Sequence, residues 1–329
     1  MSRPGVSRGA AAAIGGTPLI ELEKLSGRTG CRVLGKAEFL NPGGSVKDRI
    51  ALAMIRDAAK AGSLPPGGTI VEASAGNTGI GLAMVGGALG YKTVITIPAT
   101  VAREKIAFLR VLGAEVVETP DVGFKDERHF YHEARRIAAA RGAFHADQFN
   151  NPANRLEHYR TTGPEIWEQT GGHVDVLVAA AGTGGTISGI ASFLKEQNPR
   201  IQVVLADPIG SALYSYVKCG VLEAADHDYI AEGIGIGRLV ANFAGAPVDD
   251  AVQVTDQAVV DTAYRLLRDE GLLLGMSTAL NVWAAEQVAL KLGPGKTIVT
   301  VLADGGERYI SRLYDRPWLA SKGFRVPEN

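Results

Sequence analysis

Cysteine is scarce: only Cys31 and Cys219 occur in 329 residues. They form no CxxC pair and no zinc-ligand spacing, so neither a disulfide scaffold nor a zinc site is expected. One disulfide could join them, but two reduced thiols fit the pattern better. No apolar run approaches the roughly 20 residues that cross a bilayer. The segment from Met1 to Ala13 holds arginines and alanines but lacks the apolar core of a signal peptide. Charge of one sign is also missing: 34 Lys and Arg face 35 Asp and Glu, a formal net charge of −1. This total does not indicate a strongly basic face for nucleic acid, though it leaves room for a local patch. These absences leave a soluble, cytoplasmic protein with no nucleic-acid and no membrane partner as the expectation. Two nucleotide signatures are missing as well. A G-x-G-x-x-G fingerprint starting at Gly182 would need glycine where Ile187 stands, and there is no P-loop.

What is present is a core-forming composition, 46% hydrophobic and 21% charged. The length suits two domains or one large one. Apolar strand-like runs alternate with helical periods. Thr69–Ala73, Thr93–Ile97 and Ala114–Glu118 read as strands, with helices over Gly79–Leu89 and Ala102–Leu112 between them. The pattern resumes with strands at Val174–Val178 and Gln202–Ala206 around a helix over Ile187–Gln197. Helices over Asp256–Asp269 and Ala279–Leu292 and a strand at Thr297–Leu302 follow. This order predicts an α/β protein with two α/β domains, their mostly parallel central sheets flanked by helices. Asn150–Asn151–Pro152 reads as the boundary between the halves, and a cleft between them is the expected small-molecule site.

Three segments carry chemistry. Asn41–Arg49 is a glycine-containing loop leading into a helix. Ser45 and Asp48 fit a capping box with Ser45 at the N-cap, which puts Lys47 in the first turn. The positive helix end disfavours a protonated lysine and suits a Schiff-base nucleophile. Ser74–Gly79 and Gly182–Thr186 each follow a strand and open a helix, supplying hydroxyls and backbone amides for an anion. Taken singly, the lysine also fits a solvent-facing side chain, and each loop an ordinary strand-to-helix turn. His129 and His132, three apart on a helix beginning near Asp126, lack a third metal ligand in register and read as a polar face, so no metal is expected.

Five runs then occur in order: Asn41–Arg49, Ser74–Gly79, Asp147–Asn154, Thr161–Trp167 and Gly182–Thr186. Together they resemble O-acetylserine sulfhydrylase (cysteine synthase) and the catalytic core of cystathionine β-synthase, from about Gly15 to about Phe324. The resemblance implies a fold-type II pyridoxal 5'-phosphate enzyme, tryptophan synthase β-like and usually a homodimer. It implies a smaller, mobile domain over 41–150 that bears the carboxylate loop. Residues 1–40 with 151–329 would form a larger domain that binds the cofactor phosphate. Lys47 would form the internal aldimine and serve as catalytic base and acid. Asn77 would bond the cofactor's ring hydroxyl, and Gly182, Thr183, Gly184, Gly185 and Thr186 would hold its phosphate. Ser277 would meet the pyridine nitrogen. A hydroxyl there leaves that nitrogen unprotonated and favours loss of a β-leaving group. Ser74, Ala75, Gly76 and Thr78, assisted by Gln148, would grip the substrate carboxylate, with Gly233 lining the cleft.

The implied reaction is β-replacement on O-acetyl-L-serine, or a similar β-substituted serine, with sulfide. It forms L-cysteine through an aminoacrylate. Alternatives within the resemblance are cysteine desulfhydrase activity (β-elimination), a specialised β-replacement making a non-protein amino acid, and cystathionine β-synthase-like activity. A retired binding protein of the same fold would not need the intact Lys47, Asn77 and Ser277. The resemblance also implies a partner, the C-terminal tail of serine acetyltransferase. Two departures bear on specificity: Ala75 stands where serine is usual, and Ala279 where glycine is usual. Ala75 also marks a subgroup with Glu232–Gly235 followed by Gly237–Arg238, which this chain resembles. The regulatory and haem-binding extensions of animal cystathionine β-synthases are not apparent, which points to a compact bacterial-type enzyme.

Overall fold

The computed structural model describes residues 5–74, 76–101, 103–225 and 229–326. In chain order it begins with β1 (Leu19–Glu21), α1 (Glu23–Thr29) and β2 (Arg32–Ala37). Next come α2 (Lys47–Lys60), β3 (Thr69–Ala73), α3 (Asn77–Ala88), β4 (Lys92–Pro98), α4 (Arg103–Val111), β5 (Glu115–Thr119), α5 (Phe130–Arg141), β6 (Phe144–His145) and α6 (Pro152–Glu157). A π-helical turn, His158–Thr162, leads to α7 (Gly163–Gln169), β7 (Val176–Ala180), α8 (Gly185–Gln197), β8 (Gln202–Pro208) and α9 (Leu213–Cys219). The chain closes with β9 (Asp250–Val254), α10 (Asp256–Glu270), α11 (Met276–Leu292), β10 (Thr297–Leu302) and α12 (Arg316–Ser321).

The chain divides into two compact units. The smaller takes residues 5–14 and Asn41–Glu157; the larger takes Gly15–Leu40 and residues 158–326. The boundary thus lies at Glu157 and His158, not at Asn150–Pro152. α6 packs against α2, and Ala153 belongs to the same buried cluster as Ile50 and Met54. The N-terminal residues up to Ile14, expected with the larger domain, fall with the smaller unit because Ala11 and Ile14 cover that cluster.

In the smaller unit four parallel strands run in the order β5-β4-β3-β6. β3 and β4 are buried along nearly their whole length because α-helices cover both faces. In the larger unit six strands run β1-β2-β10-β7-β8-β9, parallel except for β1, which pairs antiparallel with β2. Its core gathers Val33, Val176, Val178, Leu280, Ala284 and Ile298. β2 was not apparent as a strand, since Gly35 and Lys36 interrupt its apolar run. An added Cβ at Gly35 would lie 2.6 Å from the Leu302 side chain, so the close β2–β10 approach requires glycine. Lys36 is wholly buried and its Nζ sits 2.7 Å from Glu165 Oε2. α5 begins at Phe130, four residues later than Asp126, because the His129 ring accepts the Tyr131 N–H and caps the helix there. Cys31 and Cys219 are both free thiols. Among the described residues no helix is long and apolar enough to cross a membrane, and no His, Cys, Asp and Glu cluster could hold a metal ion.

Candidate active site

Each candidate loop sits where a parallel sheet puts its ligand sites, at the carboxyl ends of strands. In the smaller unit Ser74 follows β3, and Gln148 follows β6, the neighbour that pairs with β3 at Val71 and His145. In the larger unit the 182–186 segment follows β7 and Asp304 follows β10.

Lys47 opens α2 and is half-buried. The capping differs from the expected box. Ser45 Oγ accepts from the Lys47 N–H at 3.2 Å, and the Asp48 carboxylate accepts from the Gly43 N–H at 2.5 Å. The Asn41 side chain donates to Ser45 O at 3.2 Å. The loop is therefore tied down on both sides of Lys47. α3 lies close by, because Gly81 has no side chain: an added Cβ would stand 3.2 Å from Lys47 O and 3.3 Å from Ala51 Cβ. Lys47 and the start of α3 are thus brought together within one unit.

At that start, Ser74 Oγ accepts from the N–H groups of Gly76 and Gly79 at 3.3 and 3.1 Å. Asn77 is the first residue of α3, and Thr78 is buried. Thr78 Oγ1 donates to Gln148 Oε1 at 2.6 Å. Ala75 lies outside the described residues. Glu72, not singled out from the sequence, is fully buried beneath this loop. Burial pushes its carboxyl up to about 8, against the backbone and side-chain N–H groups of Gln148, which lower it. A carboxylate inside an apolar strand was the available signal.

In the larger unit the loop from Gly182 to Thr186 is shaped by steric necessity. A Cβ on Gly182 would fall 2.1 Å from Gly233 O, and one on Gly184, at φ 81°, would fall 2.5 Å from Phe243 Cβ. Gly235 N donates to Ala181 O at 2.8 Å, holding the Gly233–Gly235 segment beside the loop. No acidic residue stands in the first turn of α8, and the Thr186 hydroxyl lies 3.1 Å from Nε2 of the buried His158. His158 Nδ1 in turn contacts Thr162 Oγ1 at 2.9 Å. Backbone amides at a helix start, hydroxyls and a first turn without an acidic residue form a donor set that fits a phosphate. Ser277 lies in the first turn of α11 and is buried, so its hydroxyl fits a neutral ring nitrogen. Next to it, the Thr278 hydroxyl accepts the Ala303 N–H at 2.8 Å, and Ala279 is fully buried in the core cluster. Asp304 is buried, and its Oδ2 accepts from Tyr309 OH at 2.6 Å.

The chain is similar to known proteins. A family described as "Pyridoxal-phosphate dependent enzyme" matches residues 10–304. The chain belongs to this family. Among its relatives, "Cysteine synthase 1" of Neurospora crassa is 50% identical over 99% of this chain and 88% of its own length. "Cysteine synthase" of Dictyostelium discoideum is 49% identical over 98% and 88%. Among solved structures, the crystal structure of O-ureido-L-serine synthase superposes with a TM-score of 0.86 at 34% identity, covering 96% of this chain and 99% of that one. The two α/β units with mostly parallel sheets are those of a fold-type II pyridoxal-phosphate enzyme, and pyridoxal phosphate is this enzyme's cofactor. Lys47, Asn77, Thr78 and Gln148 lie in the smaller unit of this pyridoxal-phosphate enzyme, and Gly182–Thr186, Gly233 and Ser277 in the larger.

Proposed function

We propose that this enzyme makes L-cysteine by β-replacement on O-acetyl-L-serine, or a similar β-substituted serine, with sulfide. The observation that carries this reading is the 50% identity to a cysteine synthase over 99% of the chain. When bound, pyridoxal phosphate supplies the electron sink that makes an amino acid's α-proton labile. Lys47 would hold the cofactor through a Schiff base, and its Nζ would take the α-proton and return it. Its place at a helix N-terminus, where a cation is disfavoured, supports a role as base. Asn77 would bond the ring hydroxyl, and Ser277 the ring nitrogen. The 182–186 loop would hold the phosphate, and the absence of an acidic residue from the first turn of α8 supports that assignment. Ser74, Ala75, Gly76 and Thr78 would receive the substrate carboxylate with help from Gln148, and Gly233 would border the amino acid. The smaller unit would be the mobile one. The enzyme would act as a homodimer in the cytoplasm, and the C-terminal tail of serine acetyltransferase is the partner to test.

A second reading, specialised β-replacement making a non-protein amino acid, is favoured by the likeness to O-ureido-L-serine synthase. Product analysis separates the two. Purified holoenzyme given O-acetyl-L-serine and sulfide should form cysteine and acetate in equal amounts, with a reversible change in its visible absorption. Lys47→Ala should abolish turnover. Turnover with other nucleophiles but not with sulfide would move the assignment to the second reading.

A further inference from the structure

Glu72 is the fourth of the five residues of β3, in the run Thr-Ile-Val-Glu-Ala, and is 0% exposed. A carboxyl group taken out of water needs hydrogen-bond partners. Among the described residues neither lysine nor arginine forms a salt bridge with it. Besides the Ala73 backbone N–H, two donors come from one residue. Gln148 Nε2 lies 3.2 Å from Glu72 Oε1, and the Gln148 backbone N–H donates to Oε2 at 3.3 Å. Gln148 Nε2 is also 3.2 Å from Ala73 O.

A glutamine amide has two nearly isosteric orientations, one with nitrogen inward and one with oxygen inward. Ala73 O is an acceptor and Glu72 Oε1 takes a donor here, so oxygen inward would set Gln148 Oε1 against Ala73 O and strip Glu72 Oε1 of its donor. Nitrogen inward is the orientation found, and it turns Oε1 toward Thr78, whose hydroxyl donates to it at 2.6 Å. Thr78 sits in the first turn of α3, directly after the loop of Ser74 and Gly76. The backbone contributes as well. Asp147 has φ 48°, a left-handed conformation that a non-glycine residue adopts at some cost. It is held by Tyr131 OH at 3.2 Å and Asn150 Nδ2 at 3.0 Å. Gln148, the next residue, then has its N–H on Glu72, while its carbonyl accepts from Asn154 Nδ2 at 2.9 Å.

We propose that Glu72 is a positioning residue for the amino-acid substrate: it selects the amide orientation of Gln148 and, through Gln148, fixes Thr78 and the α3 N-terminus that receive the substrate carboxylate. This rests on the reading that Gln148 and Thr78 belong to the carboxylate site. Glu72 itself does not touch substrate. A Glu72→Gln side chain keeps the shape but replaces one of the two acceptors by a donor, so Gln148 loses either its backbone or its side-chain partner.

The test uses holoenzyme: wild type, Glu72→Gln, Gln148→Ala and the double variant. Two quantities are read: steady-state constants for O-acetyl-L-serine and sulfide, and the dissociation constant of L-alanine from the change in cofactor absorption. L-alanine carries the same carboxylate but no leaving group, so the second reading does not depend on turnover. Expected for Glu72→Gln is a rise of about tenfold in the O-acetyl-L-serine KM and in the L-alanine dissociation constant, with kcat and the sulfide KM within about twofold. In the Gln148→Ala background the same substitution should add less than about twofold, because the two residues act as one unit. An unchanged L-alanine affinity in Glu72→Gln would overturn the proposal. So would effects that multiply in the double variant, or a parallel fall in kcat, cofactor content and melting temperature. If wild type binds L-alanine but does not turn over O-acetyl-L-serine, the substrate assignment fails, and the L-alanine constants still decide the role of Glu72.

Discussion

The hydroxyl oxygen of Ser74 accepts the backbone N–H of Gly79 at 3.1 Å, five residues on, and that of Gly76 at 3.3 Å. Ser74 therefore shapes the loop from within. Ser74→Ala removes a helix-capping acceptor and should lower stability by about 1 kcal/mol. The KM for the amino acid should rise several-fold, with a smaller effect on kcat. Ser74→Thr keeps the oxygen and should recover most of both losses. Urea unfolding beside steady-state kinetics checks this.

The glycines of the larger unit's loop answer to a different measurement. Gly182→Ala would push a methyl to 2.1 Å from Gly233 O, and Gly184→Ala adds both a clash with Phe243 and strain at φ 81°. Each should weaken pyridoxal phosphate binding by about tenfold or more, which corresponds to about 1.4 kcal/mol. Dialysis followed by cofactor titration, read by absorbance, gives the two constants. Binding equal to wild type in both variants would remove the phosphate assignment.

Lys36 and Glu165 form a buried ion pair at 2.7 Å, with Lys36 Nζ also bonded to Thr17 O and to Gln169 Oε1. Breaking such a pair on one side leaves a charge buried without its counter-ion. Glu165→Gln should therefore lower the unfolding free energy by about 3 kcal/mol. Replacing both members with apolar residues, Lys36→Met with Glu165→Leu, should be less destabilising than the single change. Chemical denaturation of the three proteins orders them.

Asp207 gives a pH signature. Burial pushes its carboxyl from 3.8 up to about 6, opposed by the Ser211 hydroxyl and the Tyr214 N–H. Between those values the folded protein holds a proton that the unfolded chain has released, so stability falls as pH rises through the window. The loss is on the order of 3 kcal/mol by pH 7. Asp207→Asn should flatten the stability profile between about pH 4 and pH 6. An unchanged slope would show that Asp207 ionises normally.

Much of this architecture was legible in the chain because its parallel strands are apolar on both faces. β3 and β10 fall on the expected residues, Thr69–Ala73 and Thr297–Leu302. β2 was not, since its Gly35 and Lys36 make sense only against Leu302 and Glu165, which are remote in sequence. β9 escaped notice because Asp250 and Gln253 break the run. The glycine loops could be read locally, as hydroxyls and glycines between a strand and a helix. The place of Glu72 inside an apolar strand was visible, but its tie to Gln148 was not, because that partner lies 76 positions along the chain.

The nesting of one unit inside the other also sets an order of events during synthesis. β2 emerges early, yet its parallel partner is β10, with Arg32 aligned to Thr297. All four strands of the smaller sheet lie between these two in the chain. The inserted unit can therefore close its sheet on the ribosome while β2 still lacks β10. The larger sheet must wait for almost the whole polypeptide, which places its completion among the slow, non-local steps of folding and leaves β2 exposed as an open edge in the meantime.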